Sequence, residues 1–105
     1  MSEFLIKVPQ SIEVGGLTYR IEYDSKLLHY EGNLGQCDHR KQLITMGYSH
    51  TPDGQDETLW HELTHAVNRS YLNGKLSEDD INSISTGQYQ VLKQLGIRFD
   101  WSERS

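Results

Sequence analysis

The sequence predicts an α+β fold, in which a small antiparallel sheet of about three strands packs on two helices. In the first half of the chain, apolar and polar residues alternate, which is the period of a strand with one buried face. From residue 57 onward, apolar residues recur at helical spacing. Because the chain has 105 residues, we expect one domain over residues 1–105 with a single small core, and frayed segments at residues 1–9 and 100–105.

Two segments of the first half carry the strand pattern. Residues 12–14 lead into Gly15-Gly16, a pair suited to a tight hairpin, and Leu17–Tyr23 then alternates apolar with polar residues. After a glycine-containing turn, residues 42–47 form a further strand candidate with an apolar centre. An exposed edge at residues 42–47 would offer main-chain hydrogen bonds to an extended peptide, and the alternative is an internal strand.

Two helices are predicted in the second half. The first covers residues 57–71 and ends before Asn73-Gly74, a pair that stops helices. Ser77 is a suitable N-cap for the second helix, which continues to Gly96. Because the connection between them is short, the two helices are expected to lie roughly antiparallel.

Composition and charge exclude several functional classes. A net charge of -5 gives no basic surface that follows a phosphate backbone, so we expect no direct nucleic-acid partner. No stretch approaches the roughly 18–20 consecutive apolar residues of a membrane helix. Cys37 is the only cysteine and is interpreted as an inert thiol. The first ten residues lack the pattern of a signal peptide, and we therefore expect a cytoplasmic protein.

The pentapeptide His61-Glu62-Leu-Thr-His65 carries the clearest chemistry. Residues four apart lie on one face of a helix, so both imidazoles can bind a single ion while Glu62 faces the same cleft. This HExxH pattern predicts Zn²⁺ as the cofactor. Glu62 is expected to act as the general base on a water molecule whose pKa zinc lowers to about 7.

A catalytic zinc site requires a third protein ligand, which the pentapeptide does not contain. Three acidic residues, Glu78, Asp79 and Asp80, open the second helix and are the candidates. Helix geometry favours an acid deeper in the helix, hence Asp80, whereas Glu78 lies close to the connection but has the longest side chain. The residues by themselves leave this choice open.

A stabiliser for the developing oxyanion is also expected, and Tyr or His is the usual chemical type. The candidates are Tyr89, Tyr48 and His50, and the sequence does not choose among them. His29 and His39 lie outside the helical spacing of the motif and are interpreted as surface residues.

Four stretches, GGLTYRIEY, LGQCDHRKQLITM, ETLWHELTHAV and LSEDDINSISTGQYQVLKQL, together resemble the small phage and bacterial zincin-like metallopeptidases related to the ImmA/IrrE and SprT groups. The resemblance covers about residues 10–97. It implies a small sheet packed on the motif helix, and zinc held by His61, His65 and Glu78. It also implies Glu62 as the general base and a gluzincin-like mechanism.

The sequence therefore favours a zinc metallo-endopeptidase that hydrolyses an intracellular protein or peptide, in the phage or prophage setting that the resemblance implies. The alternative hypothesis is a zincin-like binding or regulatory module that keeps the fold but cleaves weakly or not at all. Neither the substrate nor the oligomeric state follows from the sequence.

Overall fold

The computed structural model describes residues 3–29, 34–49 and 51–102, and within them the fold is α+β, as predicted. No helix in this described part of the chain is long and apolar enough to cross a membrane. In chain order the elements are β1 (Phe4–Lys7), β2 (Ser11–Val14), β3 (Leu17–Tyr23), a 3₁₀ helix (Ser25–His29), β4 (Gly35–Asp38), β5 (Leu43–Met46), α1 (Pro52–Tyr71), α2 (Glu78–Gln94) and β6 (Ile97–Asp100).

The main sheet has four strands in the order β2-β3-β5-β4. The pairs β2/β3 and β4/β5 are antiparallel, but β3 and β5 are parallel. The prediction of a purely antiparallel, three-stranded sheet is therefore wrong. The reason is β4. Its sequence Gly-Gln-Cys-Asp shows no apolar alternation and so does not predict a strand. It lies between β3 and β5 in the chain but occupies the edge of the sheet beyond β5.

The position of β5 decides between the two alternatives for residues 42–47 in favour of the internal strand. β5 lies between β3 and β4, so residues 42–47 do not form an exposed edge. The edge strand on that side of the sheet is β4, and α1 packs close to it.

A second, two-stranded sheet joins the two ends of the chain. β1 and β6 are parallel, with Phe4 opposite Ile97 and Lys7 opposite Asp100. Residues 4–7 are thus not frayed, contrary to the prediction. Local sequence patterns did not indicate this pairing because the two strands are about ninety residues apart.

The first helix begins at Pro52, five residues earlier than predicted. Thr51 is the N-cap and accepts a hydrogen bond from the Gly54 N–H (3.0 Å), and Pro52 is favourable in a first turn. Ser77 caps α2 as predicted. The two helices are antiparallel, because Lys93 near the end of α2 contacts Asp53 at the start of α1.

The core lies between α1 and the four-stranded sheet. Its fully or nearly fully buried members are Tyr19, Ile21, Ile44, Met46, Leu59 and Ala66. Leu59 and Ala66 come from α1, and the others come from β3 and β5. Burying this face fixes the rotation of α1 about its axis, so the motif residues His61, Glu62 and His65 are directed to defined positions beside β4 and α2.

Candidate metal centre

His61, His65 and Glu78 bring three potential ligand groups to one point. The Nε2 atoms of the two histidines are 3.2 Å apart, as expected for residues one turn apart on α1. The Glu78 carboxylate lies 3.0 Å from Nε2 of His61 and 3.3 Å from Nε2 of His65. The grouping agrees with the set that the family resemblance implied.

These ligand atoms lie close enough together for one metal ion. Zinc binds imidazole nitrogen and carboxylate oxygen at about 2.0–2.2 Å, so tetrahedral ligand atoms around it are about 3.3–3.6 Å apart. The two histidine nitrogens are 3.2 Å apart, and each faces a different oxygen of Glu78. The candidate ligand atoms all lie within 4.8 Å of one another, so a small rotation of Glu78 would bring one oxygen to a shared ion. Two imidazoles and one carboxylate are also a donor set typical of catalytic zinc, with a fourth position left open.

Asp80 is unavailable as a ligand because it caps its own helix. Its carboxylate accepts a hydrogen bond from the Ser77 N–H (3.1 Å), and the Ser77 hydroxyl accepts one from the Asp80 N–H (3.1 Å). This capping box turns Asp80 back towards the connection. Glu78 lies in the first turn of α2 with a side chain that is 61% exposed, and it is free of the capping interaction.

Asn68 holds the connection that delivers Glu78. Its side-chain oxygen accepts a hydrogen bond from the Leu76 N–H (3.1 Å), and its main-chain oxygen accepts from Leu72 and Gly74 (both 3.0 Å). Asn68 is buried and lies three residues after His65. The same helix therefore carries two candidate ligands and fixes the loop that presents the third.

Glu62 is the buried acidic residue of the site. Its side chain is only 5% exposed, and burial, followed by the nearby charge of Glu78, raises its pKa to about 8. Gly35 on β4 makes room for it: a Cβ at that position would lie 3.0 Å from the Glu62 side chain and 2.8 Å from Thr58. Any larger residue at 35 would displace the carboxylate.

The triad opens into a cleft of about 630 Å³ between α1 and β4. Its lining comprises Gly35, Gln36, Cys37, Asp38, His39, Arg40, His61, Glu62, His65, Arg69 and Glu78. A smaller depression of about 290 Å³ meets this cleft at Gly35, His61 and Glu62. Another cavity of about 660 Å³, along residues 7–11 and 20–23, contains none of the triad residues.

The edge of β4 that faces away from β5 carries main-chain groups at the cleft. The Gly47 N–H donates to the Leu34 carbonyl (2.5 Å), which places Leu34 in a hydrogen-bonded pair with β5. Main-chain groups alternate in direction along a strand, so Gln36 also bonds to β5. The N–H and C=O groups of Gly35 and Cys37 therefore point to this second edge of β4, which is open in the sense that no strand among the described residues pairs with it.

His39 belongs to the site although the sequence interpretation assigned it to the surface. Its Nδ1 lies 3.2 Å from the Tyr19 hydroxyl and 3.8 Å from the Cys37 sulfur. Burial, and next the charge of Arg69, lower the pKa of His39, so the imidazole is neutral near pH 7. An imidazole that accepts the Tyr19 proton at Nδ1 carries its own proton on Nε2, where it can donate. The sequence contained no local signal for this role, because β4 brings His39 to the cleft.

The predicted oxyanion candidates lie elsewhere or outside the described residues. The Tyr89 ring is 6.0 Å from the Lys93 ammonium, near the far end of α2, and the Tyr48 ring packs edge-on against Tyr23. Neither tyrosine lines the cleft. His50 lies outside the residues that the structure describes. The side chain of His29 is also outside the described part.

The Cys37 thiol lines the cleft but is poorly reactive. Burial, followed by the charges of Glu62 and Asp38, raises its pKa to about 12. The thiolate is the nucleophilic form, so Cys37 is almost entirely inactive as a nucleophile near neutral pH. This agrees with its interpretation as an inert thiol.

Comparisons with known proteins add no assignment. No protein-family model, curated protein or solved structure matches this chain.

Proposed function

We propose that this protein is a zinc-dependent metallopeptidase. The observation that carries the proposal is the convergence of His61 Nε2, His65 Nε2 and the Glu78 carboxylate within 4.8 Å of one another. Glu62 lies beside this group in the same cleft. An inert structural zinc site is closed by four protein ligands, whereas this triad is accompanied by a buried acid and an open strand edge.

When bound, zinc would polarise a peptide carbonyl and acidify a water molecule to a pKa of about 7. Glu62 supplies the proton transfers that peptide hydrolysis requires. Burial raises the pKa of Glu62 in the metal-free site to about 8. A bound zinc ion would favour the carboxylate, which is the form that accepts a proton from water. The same carboxyl group can then pass the proton to the leaving amine.

His39 is the group that we assign to the developing oxyanion. It lines the cleft together with Glu62 but is not one of the three groups that converge on the candidate metal position. With its proton on Nε2, the imidazole can donate a hydrogen bond. Tyr19, which is fully buried, fixes the ring from the core side. His39→Gln should therefore reduce turnover while leaving the zinc content unchanged.

We further propose that the substrate is an extended peptide paired with β4. Gly35 and Cys37 offer main-chain groups at the open edge, and both line the cleft that contains the triad. Pairing an additional strand at such an edge supplies affinity through the main chain and places alternate side chains in pockets. An intracellular protein with an exposed, flexible segment fits this description.

Metal analysis tests the first half of the proposal. The purified wild-type chain should contain about one zinc, and Glu78→Gln should weaken zinc binding by more than about 100-fold, since changes outside the ligand shell already weaken it about 10–100-fold. Asp80→Asn is the matched control, because it alters an acid two residues away that lies in the capping box. Fewer than about 0.2 equivalents of zinc in the wild type, with no gain in stability on adding zinc, would refute the proposal.

Peptide cleavage tests the second half. The zinc-loaded wild type and Glu62→Gln are incubated with a proteome-derived peptide library, and new termini are counted by mass spectrometry. We expect both proteins to hold zinc and only the wild type to create new termini. If neither protein cleaves, the chain is instead the binding or regulatory module of the alternative hypothesis.

A further inference from the structure

β1 presents an open, apolar edge that the fold itself does not cover. Its residues Phe4, Leu5 and Ile6 are 68%, 57% and 38% exposed. Within the described residues, β1 pairs only with β6, so its second edge has no strand partner. Parallel sheets are normally covered on both faces, and a free apolar edge strand is a site for pairing with another chain.

The direction of the main-chain groups on β1 defines how a partner strand would bind. The Phe4 N–H donates to the Gly96 carbonyl (2.6 Å), so Phe4 directs its main-chain groups towards β6. These groups alternate along the strand, and those of Ile6 therefore also face β6, in line with the parallel register. The N–H and C=O groups of Leu5 therefore face away from β6.

We infer that β1 pairs antiparallel with β1 of a second copy of this chain, about a two-fold axis at Leu5. In this register Leu5 exchanges both main-chain hydrogen bonds with Leu5 of the second copy, using the groups that face outward. Phe4 then lies opposite Ile6 of the second copy, so the exposed apolar side chains cover one another. A self-complementary contact of this kind is what a two-fold homodimer requires.

Charge complementarity selects the second copy as the occupant. Glu3 and β1 together read Glu-Phe-Leu-Ile-Lys, with opposite charges at equal distances from Leu5. Antiparallel self-pairing therefore places Glu3 opposite Lys7 of the second copy, twice in the dimer. Charged residues on edge strands usually prevent self-association, but this arrangement attracts its own copy.

The charges that flank β1 extend this pattern. Lys7 is opposite Asp100 on β6. Arg98 contacts Glu3 at 3.4 Å. Across the dimer, Asp100, Lys7 and Glu3 of the second copy lie side by side on neighbouring strands, and their charges alternate in sign. Each inner charge then has an opposite neighbour on both sides, so intrachain contacts and dimer contacts reinforce each other.

Charge reversal tests the inference, with sedimentation equilibrium over a concentration series as the assay. Glu3→Lys or Lys7→Glu alone creates two like-charge pairs in the dimer, and each should raise the dimer dissociation constant at least tenfold. Combining Glu3→Lys with Lys7→Glu in one chain should restore dimerisation in part, because the dimer pairs are again opposite in charge while the contacts with Arg98 and Asp100 become like-charged. An equimolar mixture of the two single variants should form a heterodimer. A wild-type chain that stays monomeric at 1 mM would overturn the inference, as would single variants that dimerise like the wild type.

Cross-linking tests the register separately, in a Cys37→Ser background. Leu5→Cys should form a disulfide-linked dimer, because directly opposed residues have Cα atoms about 5.5 Å apart, within the range of a disulfide. Phe4→Cys is the matched control, because its two copies are about 8 Å apart in this register. Equal cross-linking at both positions would overturn the proposed axis. Circular dichroism and zinc content identify any variant that has simply failed to fold.

Discussion

Replacing Glu62 with Gln in the metal-free protein should remove a pH dependence of stability that the buried carboxyl group creates. Burial, together with the charge of Glu78, raises the pKa of Glu62 from 4.5 to about 8. Between these two values, the unfolded chain carries the carboxylate while the folded chain holds the proton. Folding then takes up a proton, and the free energy of unfolding falls as the pH rises through this window.

The size of the effect follows from the shift. One proton taken up on folding changes the free energy of unfolding by about 1.4 kcal/mol per pH unit, which amounts to as much as about 4 kcal/mol between pH 5 and 8. That is a large part of the roughly 5–15 kcal/mol that stabilises a domain. Burial also lowers the pKa of His65. This shift is present in both proteins, so the comparison with Glu62→Gln isolates Glu62.

Urea denaturation followed by circular dichroism, in the presence of a chelator and at several pH values from 5 to 8, measures the effect. The advantage of Glu62→Gln over the wild type should grow steadily with pH. Saturating zinc should reduce this growth, because a nearby dication favours the carboxylate. A difference that stays constant within about 0.5 kcal/mol, close to the spread of neutral substitutions, would refute the reasoning.

Three further changes test other parts of the structure. Asp56→Ala should lower the free energy of unfolding by about 3 kcal/mol in urea denaturation. The reason is that Arg98, which donates a hydrogen bond to Asp56 at 2.6 Å, loses a buried partner. A loss below about 1 kcal/mol would contradict this. Gly35→Ala should keep its zinc in metal analysis but lose at least about tenfold in peptide cleavage, because the added Cβ displaces Glu62; unchanged cleavage would contradict the close approach. Cys37 should react with iodoacetamide at pH 8 more than about tenfold slower than free cysteine, as followed by mass spectrometry, because its pKa is about 12; equal rates would show an exposed thiol.

The parts of the site that lie on one helix were predictable from the sequence. His61 and His65 fall one turn apart, and the apolar residues Leu59 and Ala66 identify the face of α1 that packs on the sheet. Helical periodicity is local, so neither fact needed the rest of the chain. The helical periodicity does not mark the start of α1 at Pro52, because proline is unfavourable inside a helix but favourable in its first turn.

A local signal for the third ligand was also present in the sequence. Ser77 and Asp80 have the spacing of a capping box. Recognising it would have excluded Asp80 and left Glu78 as the acid nearest the connection. Helix geometry alone pointed to Asp80 because it took no account of what that carboxylate already binds.

The remaining features depend on pairings between distant segments. β1 and β6 meet across almost the whole chain, and β4 reaches the edge of the main sheet only because β5 passes between β3 and β4. His39 is part of the cleft for the same reason. Pairings between distant segments produce no periodic pattern in the sequence. The sequence therefore did not show that β4 forms the sheet edge that lines the cleft.

The electrostatics of the triad favour a metal over a simple ion pair. A histidine that paired with Glu78 as a salt bridge would have a raised pKa, yet burial lowers the pKa of His65 in spite of its contact with Glu78. The imidazole is therefore neutral near pH 7 and directs a lone pair, or a single proton, at the same point as His61 and the carboxylate. Glu62 is held protonated beside them for want of a positive charge. One dication at the point where the three groups meet would balance the negative charge of Glu78 and bind the lone pairs of both imidazoles. It would also favour the ionised form of Glu62. Protonation of a single histidine cannot produce all of these effects.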